Sequence, residues 1–171
     1  HFDIKITGPN DRLDEVVASP NQISGDGATW SDGAMQNSSF DVYGPRGGHT
    51  LFEPELSPVY LMDERWRVCQ TFFLKGVYLV NDLGDQPLSY MELSCVPNGL
   101  LLFAGTKYAD EFEDLLLPGK DRKSHSKPRT RVKLDPLANI ATWRSIKIIQ
   151  DKDGDWQTMS RSGTGDLFSE L

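Results

Sequence analysis

Fourteen consecutive residues, Lys120 to Lys133, hold seven Lys or Arg side chains and one Asp in a chain of 171 residues with a formal net charge of −7. Positive charge gathered locally on an acidic protein is a means of steering toward an acidic surface and fixing register on it. The first half of the stretch has no apolar residue, so it cannot order by burial, and 120–128 is expected to be a mobile basic loop. From Arg129 the pattern changes. Arg129, Arg131 and Lys133 alternate with Thr130, Val132 and Leu134, which predicts a strand with one basic face. Lys120, Arg122, Lys123, Lys127, Arg129, Arg131 and Lys133 are therefore the candidate partner-binding residues. The bland alternative is a solvated loop whose charge offsets Asp110, Glu111, Glu113 and Asp114, in exposed pairs each contributing roughly 0–1 kcal/mol.

The expected partner is another protein with an acidic surface. Nucleic acid is disfavoured, because the acidic sum repels a polyanion and no aromatic residue between Lys120 and Lys133 offers a stacking surface. An anionic membrane surface is disfavoured on the same charge argument.

Other residues bear on chemistry more weakly. Gly44-Pro45-Arg46-Gly47-Gly48-His49 resembles an anion-binding glycine loop in which backbone amides and Arg46 would do the work, although a plain turn between strands explains it more simply. Asp151-Lys152-Asp153-Gly154-Asp155 lacks the glycine and glutamate positions of a calcium loop and reads as a turn. Three histidines, His1, His49 and His125, show no zinc spacing. There is no nucleophile elbow, phosphate loop or dinucleotide fingerprint. Glu53, Glu55 and Glu92 are candidates for a catalytic carboxylate pair only by default, and Glu92 is expected to face solvent. Asn37-Ser38-Ser39 matches a glycosylation acceptor. Cys69 and Cys95 read as small buried thiols, with a single disulfide as the alternative. No metal and no cofactor are predicted.

Aromatic residues supply a second functional reading. Phe72 lies beside Phe73 and Ile148 beside Ile149, so several strands are apolar on both faces. This pattern suits a large core, a docking face or an interior cavity. In the cavity reading Trp66, Phe72 and Trp143 line a pocket for a small apolar ligand, a pigment or lipid, with Arg65 or Arg67 pairing an acid group.

The elements that must position these residues are mostly strands. Residues 2–7 alternate apolar and polar, as do 40–43. Arg65 to Leu74 reads as the clearest long strand, Lys75-Gly76 as a tight turn after it, and 88–96 with 100–105 as a hairpin about Asn98-Gly99. A second hairpin about Asp153-Gly154 joins 140–150 to 155–160. Residues 107–117 carry Tyr108, Phe112, Leu115 and Leu116 at helical spacing, stopped by Pro118-Gly119. The fold class is therefore all-β: a single antiparallel barrel, lipocalin-like, or a β-sandwich, with one short helix near 107–117.

One β-rich domain over 1–171 is expected, with 160–171 as a C-terminal tail. No apolar run approaches the roughly 20 residues of a membrane helix, so a soluble protein is expected. The chain begins at His1, compatible with a leader removed before it. The leading functional expectation is a non-enzymatic interaction domain, one subunit of a larger complex, docking through the basic loop and tail. The alternative is a lipocalin-like carrier.

Overall fold

The computed structural model describes residues 1–7, 12–24, 29–31, 34–36, 39–79, 84, 86–97, 115–119 and 127–161. In chain order the strands begin with β1 (Phe2–Thr7), β2 (Glu15–Ala18), β3 (Thr29–Ser31), β4 (Ala34–Gln36) and β5 (Phe40–Tyr43). They continue with β6 (His49–Phe52), β7 (Val59–Met62), β8 (Arg65–Val68), β9 (Gln70–Tyr78) and β10 (Leu88–Pro97). Then come β11 (Leu116–Pro118), β12 (Thr130–Lys133), the helix α1 (Leu134–Ile140), β13 (Ser145–Gln150) and β14 (Trp156–Ser160).

The main sheet has the order β1-β9-β10-β13-β14. Its first pair is parallel, Phe2 opposite Phe72 through Thr7 opposite Val77, and the other pairs are antiparallel. A three-stranded sheet, β11-β12-β2, a four-stranded sheet, β3-β4-β7-β8, and the ribbon β5-β6 complete the described strands. The all-β expectation holds broadly, but the lipocalin-like barrel does not. These strands form separate open sheets, because the chain leaves one sheet for another where a barrel would continue.

The break at Cys69 is one such departure. Alternation predicts a single strand over Arg65 to Leu74, yet the Cys69 amide donates to the Pro58 carbonyl. β8 therefore pairs back onto β7 while β9 enters the main sheet. Lys75-Gly76, expected as a turn, lies inside β9. Of the expected hairpin of 88–96 with 100–105, only the first strand is described. Both edges of Tyr90–Ser94 are already taken, by β9 and β13, and residues 98–105 lie outside the described residues.

Most of the expected helix at 107–117 lies outside them too, but its last two residues open β11. The helix that is observed, α1, begins where a basic strand was expected to continue, at Leu134. Pro136 sits in its first turn, where no intrahelical amide is lost, and Leu134, Leu137 and Ala138 are its buried side. The hairpin about Gly154 does form. Gly154 takes a φ of +90°, and Asp151 accepts hydrogen bonds from the amides of Asp153 and Asp155.

The core gathers Val16, Ala18, Phe73, Val96, Val132, Leu134 and Leu137 with Val42 and Phe52. Full burial of each Val, Leu or Phe side chain among them contributes roughly 1.5–3 kcal/mol. Gly119 closes the approach of β11 to β12, its amide donating to the Arg129 carbonyl at 2.9 Å. A Cβ there would lie 2.4 Å from that carbonyl oxygen. Gly119→Ala must displace backbone, which typically costs about 1–3 kcal/mol. A urea titration should show a lowered midpoint with unchanged slope, and an unmoved midpoint would show that the β11–β12 join yields freely.

Candidate functional site

One face of the main sheet carries charge and is buried. Lys5 stands opposite Lys75, Lys75 opposite Glu92, and Glu92 opposite Lys147, a row across four strands. Residues directly opposite in a sheet share a face. Lys75 is 1% exposed and Glu92 fully buried, so each needs partners.

The Lys75 ammonium donates to the carbonyls of Arg12 at 2.8 Å and Glu15 at 2.9 Å. Burial still depresses its pKa, against the pull of Glu92. Glu92 accepts from Ser145 Oγ at 2.8 Å and from Arg161 at 2.7 and 2.8 Å. Arg161 also pairs with Asp135 of α1. Burial opposes the Arg161 cation, but Glu92 and Asp135 together outweigh it and its pKa rises.

β1 forms the edge of this face. Its alternation of Phe2, Ile4 and Ile6 with Asp3, Lys5 and Thr7 would ordinarily turn the apolar set inward. Here Ile4 is 64% exposed while Lys5 is half-buried. The Lys5 ammonium lies 5.6 Å from the centre of the Phe73 ring and 3.4 Å from Gln22 Oε1. Gln22 is itself held, its Oε1 accepting from the Ser19 amide and its carbonyl from Thr71 Oγ1. At the other end of the row Lys147 lies over Tyr90, whose phenol pKa is raised by burial and by Glu92.

The residues expected from sequence are scattered. Lys120, Arg122 and Lys123 lie outside the described residues. Lys127 is exposed and paired with Glu55, a bond that raises its pKa. Arg129 and Lys133 are half-buried. Arg131 is buried, with NH1 on both Glu15 oxygens at 2.7 and 2.8 Å and Nε on the Pro118 carbonyl. β12 is the middle strand of its sheet, so the expected free basic face is partly internal.

Arg65, Trp66 and Arg67 are exposed on β8, while Phe72 is half-buried on β9. Trp143 is half-exposed, with the Arg144 guanidinium 4.4 Å from its ring centre. β8 and β9 belong to different sheets. Cys69 and Cys95 are both free thiols, and Cys95 bonds to Gln70, its pKa raised by burial against the pull of Arg144. Among the described residues no helix is long and apolar enough to cross a membrane.

The family model for the restriction endonuclease BglI matches residues 1–148. The type II restriction enzyme BglI of Bacillus subtilis is 37% identical over 142 residues, covering 78% of this chain and 47% of that enzyme. The chain belongs to the BglI restriction endonuclease family. The crystal structure of BglI bound to its DNA recognition sequence superposes with a TM-score of 0.77 at 36% identity, over 88% of this chain and 53% of that one. Tetrameric SfiI bound to cognate DNA shares the fold, with a TM-score of 0.61 at 14% identity, over 93% of this chain and 61% of that one. The chain thus spans about half the length of the BglI enzyme.

Membership in the BglI family overturns the reading as a non-enzymatic interaction domain, complex subunit or lipocalin-like carrier. It also overturns the exclusion of nucleic acid, since the solved BglI structure is bound to its DNA recognition sequence. Net charge governs long-range approach and not local contact, and the stacking criterion belongs to single strands rather than to duplexes. Sequence reasoning missed Lys5, Lys75 and Arg161. The available signal was Thr71, Phe73, Lys75 and Val77 in strict alternation, which places Lys75 on the same side as Phe73.

Two outcomes follow for the buried row. Glu92→Gln leaves Arg161 and Lys75 without their carboxylate, and breaking a buried pair typically costs about 3–5 kcal/mol. Chemical denaturation should show that loss, whereas a change below roughly 1 kcal/mol would mean the pair is dispensable. Lys75 has a folded pKa below its unfolded one, so the unfolded state binds the proton more tightly. Between those two values stability should rise with pH. Lys75→Met should abolish that alkaline rise in a pH series of unfolding midpoints.

Proposed function

We propose that this chain is the part of a restriction endonuclease that binds duplex DNA and presents the reactive edge to its phosphodiester backbone. The observation that carries this reading is the match to the BglI family over residues 1–148, together with 37% identity to BglI over 142 residues. The inverted strand β1 supports the placement of the reactive edge. Lys5 stands on β1 opposite Lys75 of β9, at the end of the charged row. It is the cation offered to the phosphate, where a fixed ammonium in a partly water-excluded setting stabilises charge developing on the transferring group.

Nucleases commonly use divalent cations for this step. Among the described residues no three His, Cys, Asp or Glu side chains converge as ligands. Glu15 and Glu92, both buried, are saturated, Glu15 by Arg131 and Glu92 by Arg161 and Ser145. These residues do not by themselves compose a metal site. Lys75, held by two carbonyls and standing opposite Glu92, acts by fixing β9 beside Lys5.

The test is Lys5→Ala in the polypeptide that carries this chain. Removing one preorganised charge donor typically lowers turnover by about 10²–10³-fold. Duplex hydrolysis should fall by that factor, while duplex affinity measured by fluorescence anisotropy changes far less. Full hydrolysis by the variant would remove Lys5 from the reaction. Failure of the wild type to bind any duplex would remove the nuclease reading itself.

A further inference from the structure

A second cationic site lies away from β1. The β5–β6 connection, Gly44 to Gly48, folds against Pro118 of β11 and the Arg131 side chain, enclosing an open cleft of about 450 Å³. Arg12, Arg46, Arg131 and His49 line it with Thr50, and among the described residues no carboxylate lines it. The loop is fixed by its own backbone. The Gly44 amide donates to the Gly48 carbonyl at 2.7 Å and the Gly47 amide to the Gly44 carbonyl at 3.0 Å. Gly47 takes a φ of +77°, a conformation that glycine adopts without steric cost.

The arginines differ in how they are held. Arg131 is locked, because Nε and NH1 are spent on Pro118 and Glu15. A guanidinium has five N–H groups, so its second terminal nitrogen keeps two donors beyond those bonds. Arg12 is half-exposed, 3.5 Å from Glu15. Arg46 is exposed and forms no ion pair with a described residue. His49 is oriented by Asp41, Nδ1 lying 3.0 Å from its carboxylate, and stacks on Tyr43, which leaves Nε2 as its other polar atom. One buried fork held in place by Glu15, two more exposed guanidiniums and a ring nitrogen around a cleft that no described carboxylate lines suit the tetrahedral oxygens of a phosphate group.

We infer that this cleft binds a phosphate group, either a diester of a nucleic-acid backbone or a free phosphate or nucleotide. The backbone source rests on the nuclease reading, whereas the free source does not. Arg46→Ala and the Arg12→Ala/Arg46→Ala double variant test it, since both side chains are substantially exposed and neither lies on β1. Duplex affinity is measured by fluorescence anisotropy between about 50 and 200 mM salt. Inorganic phosphate and a nucleoside monophosphate are titrated calorimetrically.

A backbone source predicts weaker binding to every duplex sequence alike, with the logarithmic salt slope reduced by about 0.9 for each phosphate no longer neutralised, and no heat from free phosphate. A free source predicts saturable heat with the wild type, abolished in both variants, and an unchanged duplex slope. An unchanged slope together with no heat overturns the inference and leaves the nuclease reading standing, because that reading is tested at Lys5. Phosphate heat from a wild type that binds no duplex supports the cleft and sinks the nuclease reading.

Discussion

Burial of Lys75 beside Glu92 is the constraint on which the rest of the structure depends. Two opposite charges in the middle of a sheet are expensive to desolvate, and their mutual attraction offsets that only when other polar groups complete the shell. The completing groups come from far along the chain. The carbonyls of Arg12 and Glu15 bring the segment entering β2 onto β9. Ser145 brings β13 onto β10. Arg161 brings the chain after β14 onto Glu92 and, through Asp135, onto α1. Segments before β2, within β13 and after β14 are thus positioned by one polar cluster, and a fully satisfied network of this kind specifies a single arrangement better than apolar packing does.

The legible parts of the fold were those whose cause is local. Asp153-Gly154 is a turn for reasons contained in a few residues: a carboxylate that accepts nearby amides and a glycine at positive φ. The hairpin it closes therefore follows from sequence, as does the alternation of β5 and β6. Lys75-Gly76 was misleading because lysine before glycine is ordinary turn chemistry, and nothing nearby announces carbonyls some sixty residues upstream. The break at Cys69 has a similar origin, since it depends on the Pro58 carbonyl across the β7–β8 ribbon. Parallel pairing of β1 with β9 leaves no turn signature at all, because its strands are separated by the whole of the intervening chain.

The candidate site was less legible than the fold, and charge explains why. Sequence reasoning treated lysine and arginine as surface residues, so the densest run, Lys120 to Lys133, drew attention. Yet Arg131 within that run is spent on Glu15, and Lys127 on Glu55. The cations that the structure organises are dispersed singly over the chain: Lys5, Lys75, Lys147 and Arg161. Folding alone aligns them. A net charge of −7 describes the sum seen from a distance, and within a Debye length of about 8 Å at physiological salt it says little about a local row or cleft. Glu92 shows the same failure in reverse, expected at the solvent face while lying fully buried.

The two faces of the main sheet bring these points together. On the side opposite the charged row stand Ile4, Leu74, Leu93 and Ile146, again in register across four strands. Ile4 is mostly exposed and the other three are half-buried. A half-buried sheet ordinarily turns its apolar side to the core and its charges to water. This one places Lys75 and Glu92 inside and leaves the aliphatic row less covered, so strands that read as apolar on both sides are divided into a charged face and an aliphatic one. Such a sheet is stable only because Phe73, Val77 and Val96 share the charged face and supply apolar burial around the ions. Local rules are broken most completely at β1, where the aliphatic Ile4 points out and Lys5 turns in. Departures of that kind are expected where a protein has been shaped for chemistry rather than for packing alone, and β1 is the strand on which both the sheet's polarity and the proposed reaction converge.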